Sequence, residues 1–249
     1  MAAAVRTLVA AFLTCLVVLF GLPFLILWTW ITRKPDSMYR ISMSFCRWAM
    51  RLVGIRARID GIENIPAAAC IFAANHASNL DGIILLPAIP QRTALFAKKE
   101  LFRLPVLGLG MRLAGFVPVD RGGRSAAAGV ATAVDTLKRG LSVFVFPEGT
   151  RSPDGRLQPF KKGAFAMAIE SGAPIVPVTI AGTHRLMPRG AWIARSGEIA
   201  VRFGPAVDAS AYAAKERGEL LERIAASMAA ALPPDQKPER RHAPAAGSA

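Results

Sequence analysis

An uncharged apolar run at residues 8–31 is the feature that most restricts what this chain can fold into. It reads LVAAFLTCLVVLFGLPFLILWTWI, with Arg6 before it and Arg33 and Lys34 after it. As one helix it would extend roughly 36 Å at about 1.5 Å per residue, enough to cross a hydrocarbon core of about 30 Å. The run is too long for a signal peptide, and no small-residue cleavage site follows it. The sequence predicts a membrane-embedded segment, with the basic remainder on the cytoplasmic side.

Gly21 and Pro23 interrupt this run near its middle. Proline inside a helix removes a hydrogen bond and introduces a kink. A kinked membrane span and a re-entrant hairpin that enters one leaflet are both compatible with the sequence.

Residues 39–55 form a second candidate membrane element. Apolar residues recur there at helical spacing, and three arginines lie on another face: Arg40, Arg47 and Arg51. This pattern predicts an interfacial helix resting on anionic headgroups. An ordinary surface helix packed on the globular domain is the alternative.

The composition indicates an anionic partner. The chain has 249 residues, 53% of them hydrophobic, with 31 basic against 17 acidic residues and a net charge of +14. High hydrophobicity together with positive charge favours anionic membrane lipids over nucleic acid, and the sequence has no helix-turn-helix, zinc-finger or aromatic RNA-binding signature. The 3 cysteines are widely spaced and form neither a disulfide framework nor a metal site.

Short apolar runs alternate with helical patterns from about residue 60. The predicted strands are 70–75, 93–98, 115–119, 142–147, 175–182 and 198–205, and the predicted helices are 124–140, 160–172 and 214–232. This alternation predicts an α/β domain with a mainly parallel sheet flanked by helices. The predicted organisation is a membrane anchor with an interfacial helix at 1–57, the α/β domain at 58–232, and a disordered tail at 233–249.

The stretch AANHASNLDG places His76 directly after a predicted strand and Asp81 near the start of a predicted helix. Loops after the strands of an open α/β sheet are where ligand sites gather. Such a loop could fold the carboxylate back onto one imidazole nitrogen, leaving the other as a general base. Chance His-x4-Asp pairs are common, and a capping Asp81 beside a loop histidine is the alternative.

Two further loops follow predicted strands and carry groups that suit a phosphate. In FPEGTRS, Gly149 lets backbone approach a ligand, Thr150 offers a hydroxyl, and Arg151 offers a guanidinium fork. Glu148 would bind a substrate hydroxyl or pair with Arg151. In GFVPVDRGGRS, Arg121 and Arg124 flank two glycines before a predicted helix, and Lys98 and Lys99 follow another strand. Loops that follow neighbouring parallel strands converge on one edge of the sheet.

These motifs together resemble those of the glycerolipid acyltransferases, specifically the 1-acylglycerol-3-phosphate acyltransferases. NHASNLD is similar to the NHx4D motif of that family, GFVPVDR to its second motif, FPEGTRS to its third, and IVPVTIAG to its fourth. The resemblance covers about residues 60–185, with the motifs in the order of the family.

The resemblance implies that His76 deprotonates the 2-hydroxyl of lysophosphatidic acid while Asp81 supports the imidazole. The hydroxyl oxygen would attack the thioester of acyl-CoA or acyl-carrier protein and give phosphatidic acid for phospholipid biosynthesis. It further implies that Arg121, Glu148, Gly149 and Arg151 bind the glycerol phosphate and that Pro177 shapes the substrate site. No metal or bound redox cofactor is implied. The expected location is the inner membrane, with the catalytic domain on its cytoplasmic face.

Two alternative activities remain open at this point. The acceptor could be another lysolipid, such as a lyso-ornithine lipid. A membrane-anchored hydrolase could use His76 to activate water on a thioester or ester, although the sequence has no G-x-S-x-G serine elbow. His184, just past the fourth motif, is expected to be structural.

Overall fold

The computed structural model describes residues 1–119 and 126–239. The helices are Ala2–Leu16 (α1), Leu22–Thr32 (α2), Pro35–Val53 (α3), Leu80–Ala88 (α4), Pro105–Leu113 (α5), Ala126–Lys138 (α6), Gly163–Ser171 (α7), Thr183–Leu186 (α8) and Arg217–Ala231 (α9). The strands are Ile55–Asp60 (β1), Ile71–Ala74 (β2), Thr93–Lys98 (β3), Val117–Val119 (β4), Ser142–Val145 (β5), Ile175–Ala181 (β6) and Gly197–Phe203 (β7).

The apolar run forms one continuous helix rather than a hairpin. A π-helical turn, Val17–Gly21, joins α1 to α2, and Pro23 lies in the first turn of α2. Proline is tolerated in a first turn, and a π-helical turn absorbs the local change in hydrogen bonding. The re-entrant hairpin is therefore not what the structure forms. The joined helix Ala2–Thr32 is long and apolar enough to cross a membrane, and only 11% of its most apolar stretch is buried.

This N-terminal helix packs along the side of the domain. Thr7 Oγ1 donates to the carbonyl of Ala194 and accepts from its backbone N–H, each at 3.2 Å. Leu22 lies against Gly110, where an added Cβ would come within 3.0 Å of Leu22 Cδ1. Thr29 is buried. The opposite face exposes large apolar side chains, among them Leu8, Phe12, Leu19, Phe20, Phe24 and Ile31.

The predicted interfacial helix corresponds to α3. Its buried residues are Met38, Tyr39, Met43 and Val53, which matches the alternative of a helix packed on the domain. Trp48 and Ile41 remain 46% and 48% exposed. One face of α3 therefore packs on the domain, while another still offers apolar and basic side chains to its surroundings.

The sheet of the described residues is mixed and mainly parallel, as predicted, and helices flank it. Its strand order is β1-β7-β6-β2-β5-β3-β4. The pairings β6–β2, β2–β5, β5–β3 and β3–β4 are parallel, while β6 and β7 are antiparallel. Strand β1, which pairs in parallel with β7, was not predicted. It lies at the edge of the sheet and exposes most of its side chains, so it lacks the apolar run that reveals a buried strand.

The directions of the strands determine which chain segments lie at the edge of the sheet where β2, β5 and β6 end. Strands β1 and β7 run opposite to these three, so their first residues, Ile55 and Gly197, lie at this same edge. We call it the upper edge. Loops after β2 and β5 meet there with the chain segments that enter β1 and β7.

The predicted disordered tail differs from the structure at its first residues. Pro234–Gln236 form a short 3-10 turn, and the Gln236 side chain is fully buried. Its Oε1 accepts from the Gly182 N–H at 2.9 Å, and its Nε2 donates to the Gly155 carbonyl at 3.2 Å. These bonds attach the chain to the domain as far as residue 236.

Candidate active site

The loop after β2 is fixed to the neighbouring strand by Asn75. The buried Asn75 side chain accepts from the Ile180 N–H at 2.7 Å and donates to the Ile180 carbonyl at 2.9 Å. This pair of bonds mimics one more residue of β-ladder between β2 and β6. His76 therefore begins its loop from a fixed point at the upper edge.

Asp81, in the first turn of α4, holds the imidazole of His76. Its Oδ2 lies 2.9 Å from His76 Nδ1 and also accepts from the backbone N–H groups of Ala77 at 2.7 Å and Ser78 at 2.8 Å. An oxygen that accepts from two amides and faces an imidazole nitrogen assigns the proton to Nδ1. Nε2 then carries the lone pair, as a general base requires.

The imidazole is held on its flat side as well. The rings of His76 and Phe146 stack with centroids 3.7 Å apart at 13°, and only 10% of the histidine side chain is exposed. Phe146 comes from the segment that follows β5. The ring of His76 is thus fixed by one hydrogen bond from the first turn of α4 and one stacking contact from the segment after β5.

His76 lines a cleft of about 250 Å³. The other lining residues include Phe146, Gly149 and Lys161, and the apolar residues Leu95, Phe96, Val119, Val130, Phe144, Val145, Ala164 and Met167. A largely apolar cleft with a histidine and a lysine suits a molecule that has a hydrocarbon chain and an anionic group.

Glu148 joins the two loops through both of its carboxylate oxygens. Its Oε1 accepts from the His76 backbone N–H at 2.7 Å, and its Oε2 accepts from the Gln158 N–H at 3.2 Å. The Ser152 N–H donates back to the His76 carbonyl at 2.7 Å. Glu148 and Arg151 form no ion pair in the structure. Glu148 therefore positions the His76 backbone instead of holding Arg151, and its predicted role in binding substrate stays a prediction.

Burial of Glu148 perturbs its protonation. The residue is 3% exposed, and burial raises the pKa of its carboxyl to about 8, although the N–H groups of His76 and Gln158 act in the opposite direction. Near neutral pH this carboxyl is therefore close to its own titration.

The remaining residues of FPEGTRS form the rim of the site. Gly149 has a φ of 72°, a left-handed conformation that favours glycine. Thr150 is exposed and Arg151 is half-buried. Arg151 forms no ion pair with an acid of the described residues, which leaves its guanidinium available. Arg121 and Arg124 lie outside the described residues, as does His242.

Two predicted residues lie away from the cleft. Pro177 is buried within β6 and pairs with Ala73 of β2, and its ring meets Gly204. His184 packs beneath Gly155, and burial, followed by the nearby Arg185, lowers its pKa. The structure therefore brings neither Pro177 nor His184 to the nitrogen of His76 that faces the cleft.

The sequence did not reveal three residues that shape this site. Asn75 and Phe146 are the first residues of the motifs NHASNLD and FPEGTRS, yet an amide and an aromatic ring carry no signal of their contacts. Lys161 precedes α7, and its Nζ lies 2.8 Å from where a Cβ on Gly149 would stand. The sequence signal for a cationic group here was the pair Lys161 and Lys162, which lies after the FPEGTRS loop and before α7.

No group of three or more His, Cys, Asp or Glu side chains is placed to hold a metal ion within residues 1–119 and 126–239. The absence of a metal and of a redox cofactor from the reaction stays a prediction.

Comparisons with known proteins agree with the motifs. The family model described as Acyltransferase matches residues 56–181. A chloroplastic 1-acyl-sn-glycerol-3-phosphate acyltransferase of Brassica napus is 43% identical over 147 residues, which are 57% of this chain and 42% of that protein. The 1-acyl-sn-glycerol-3-phosphate acyltransferase of Pseudomonas aeruginosa is 32% identical over 76% of each chain. This chain thus spans about two-fifths of the Brassica protein and three-quarters of the Pseudomonas protein.

A solved structure shares the fold. The crystal structure of the 1-acyl-sn-glycerophosphate acyltransferase from Thermotoga maritima matches with a TM-score of 0.76 and 28% identity, covering 88% of this chain and 92% of that chain. The predicted fold class and the predicted family resemblance are both confirmed.

The raised pKa of Glu148 predicts how stability changes with pH. The folded protein binds a proton at Glu148 that the unfolded chain releases above pH 4.5, so stability falls as pH rises from 4.5 to about 8. This group contributes at most about 1.4 kcal/mol per pH unit. Glu148→Gln removes that contribution. Urea unfolding of both proteins at several pH values between 5 and 8 should show wild type losing stability relative to the variant, and parallel curves would contradict the assignment.

Proposed function

This chain belongs to the acyltransferase family, and we propose that it transfers a fatty acyl group to the 2-hydroxyl of 1-acylglycerol 3-phosphate. The acyl donor is acyl-CoA or acyl-carrier protein, and the product is phosphatidic acid, a precursor in phospholipid biosynthesis. The observation that carries the proposal is the His76–Asp81 hydrogen bond of 2.9 Å at a largely apolar cleft. The names of the relatives from Brassica and Pseudomonas support the acceptor.

The first step uses the lone pair on His76 Nε2. His76 Nε2 takes the proton of the acceptor hydroxyl while the hydroxyl oxygen attacks the carbonyl carbon of the thioester. The imidazole becomes positively charged, and the carboxylate of Asp81, which is fully buried beside Nδ1, stabilises that charge. General-base catalysis of this kind typically contributes about 10²–10⁴-fold to a rate.

The second step completes the transfer. The tetrahedral intermediate collapses, the C–S bond breaks, and the leaving thiolate takes the proton from His76 Nε2. The ester C–O bond has then replaced the thioester, and the imidazole returns to its starting state. The proton balance needs no other acid or base.

The phosphate of the acceptor would meet the cations and amides around the FPEGTRS loop. We assign this role to Gly149, Thr150 and Arg151 of that loop, and we add Lys161 because it lines the cleft beside His76. Arg121 is assigned the same role on the family resemblance alone, because it lies outside the described residues. Glu148 acts by holding the His76 loop, and Pro177 acts only through the packing of β2 against β6.

The N-terminal helix is proposed to attach the enzyme to the inner membrane, with the domain on the cytoplasmic face. Its exposed apolar face supports this attachment. An acceptor that is itself a membrane lipid would then reach the site from the bilayer surface.

Removal of the base should abolish transfer without detaching the protein. We expect His76→Ala to lower kcat by about 10²–10⁴-fold, whereas membrane attachment survives because the N-terminal helix is intact. His184→Gln is the matched control and should keep activity within a few-fold of wild type. Full activity of His76→Ala in a radiolabelled acyl-transfer assay would defeat the mechanism.

Lys161 and Lys162 provide a matched pair for the phosphate role. A charge-assisted hydrogen bond contributes roughly 1.5–3 kcal/mol, so Lys161→Gln should lower kcat/KM for lysophosphatidic acid by roughly 10- to 100-fold. Lys162→Gln, which removes the same charge beside it, should stay near wild type because Lys162 does not line the cleft. Equal losses in the two variants would contradict a specific role for Lys161.

A donor-by-acceptor activity matrix on detergent-solubilised protein tests the reaction itself. Acyl-CoA and acyl-carrier protein are each supplied with lysophosphatidic acid, a lyso-ornithine lipid, another lysophospholipid, or no acceptor, with His76→Ala as the blank. We expect lysophosphatidic acid to be acylated fastest. Equal rates with other lysolipids would remove the phosphate preference, and acyl release without an acceptor would indicate a hydrolase.

A further inference from the structure

We propose that the loop at residues 187–196 is a second membrane-docking element, which inserts Trp192 and Ile193 into an anionic bilayer surface beside the active site. We call it the docking loop. The proposal goes beyond acyl transfer and rests only on the proposed attachment of this chain to a membrane.

The tip of the docking loop exposes large apolar side chains. Trp192 is 88% exposed and Ile193 is 48% exposed. Tryptophan is the residue most suited to the boundary between headgroups and acyl chains, because its ring is apolar while its N–H remains able to donate. An adjacent exposed isoleucine extends the apolar tip.

The docking loop is held in place against the N-terminal helix. Ala194 is buried, and its backbone N–H and carbonyl both bond to Thr7 of α1. The Arg195 N–H also donates to the Leu186 carbonyl at 2.8 Å. Since the docking loop leads into β7, it lies at the upper edge, as does His76. The apolar tip therefore lies beside the N-terminal helix, on the side of the domain that carries the site.

The charge around the docking loop identifies an anionic surface as its partner. Arg189 and Arg195 flank the tip and are exposed. Beside it, a cleft of about 450 Å³ at the Gly54 turn is lined by three more arginines, Arg6, Arg51 and Arg56. One carboxylate, Glu198, also lines this cleft. Within residues 1–119 and 126–239 none of these five arginines forms an ion pair, so their charge is available to phosphate headgroups.

One contact links the docking loop to the site. Arg189 Nη1 lies 3.4 Å from the carbonyl oxygen of Arg151, so the docking loop touches the FPEGTRS loop. Insertion of the tip would place the rim of the active site at the headgroup layer. A lysolipid could then pass from the bilayer to His76 without crossing water with its acyl chain exposed.

The direct test uses Trp192 as the only reporter. The chain has 4 tryptophans, and Trp28, Trp30 and Trp48 are changed to phenylalanine in the full-length protein. This protein is bound to vesicles of phosphatidylcholine with phosphatidylglycerol, with and without brominated phosphatidylcholine. We expect a blue shift of Trp192 emission on binding and loss of emission with the brominated lipid.

A matched reporter at the opposite edge controls for non-specific quenching. In the same background, Trp192→Phe is combined with Ile62→Trp, because Ile62 is 45% exposed and lies beyond the end of β1, away from the upper edge. This second reporter should show neither change. Equal quenching of both reporters, or unquenched emission from Trp192 on vesicle-bound protein, would overturn the proposal. A blue shift that follows protein concentration without vesicles would indicate contact between copies of the chain and would also overturn it.

The charge requirement is tested in the same reporter background. Arg195→Glu should require roughly tenfold more phosphatidylglycerol for the same Trp192 shift. Arg202→Glu makes the same charge change on β7 and should have little effect, since Arg202 lies near the opposite end of that strand. Equal effects would contradict a local role for Arg195. Acyl transfer is assayed in parallel, so that an active enzyme with an unshifted Trp192 refutes the docking loop alone.

Discussion

A single carboxylate oxygen organises the candidate active site. Asp81 Oδ2 accepts from Ala77 N–H and Ser78 N–H while it faces His76 Nδ1. The two amide bonds fix the course of the loop, and the imidazole contact fixes the proton on the buried nitrogen. The shape of the loop and the orientation of the imidazole thus both depend on the buried carboxylate of Asp81. The other residues of the site are arranged around that imidazole.

The loop after β5 supplies the second half of that support. Phe146 stacks on the His76 ring, and Glu148 binds the His76 backbone N–H. The motif glutamate therefore helps to set the position of His76. The carboxyl is buried, and burial raises its pKa to about 8. Burial disfavours the charged form of Glu148, and a proton on the carboxyl near physiological pH removes that cost.

Much of the fold and site was predictable from sequence, for identifiable physical reasons. Buried parallel strands read as short apolar runs, so β2, β5 and β6 were found, and the order of motifs then predicted the family. Strand β1 was missed because an edge strand with exposed, charged residues has no apolar run. Gln236 was assigned to a disordered tail because the residues around it show no apolar periodicity. Its burial depends on bonds to Gly182 and Gly155, which local composition does not encode.

By itself, the sequence determined which groups are available for the proposed chemistry and that an apolar run precedes them. The chemical properties of His76, Asp81 and the FPEGTRS residues do not depend on the fold. A long uncharged apolar run is buried in protein or in a membrane whatever the fold is. Only the tertiary structure decided that Glu148 holds His76, that Phe146 stacks on its ring, that Lys161 enters the cleft, and that the N-terminal helix runs along the domain. These are contacts between segments distant in the chain, and their geometry is set by strand order and packing, which no local pattern of residues specifies.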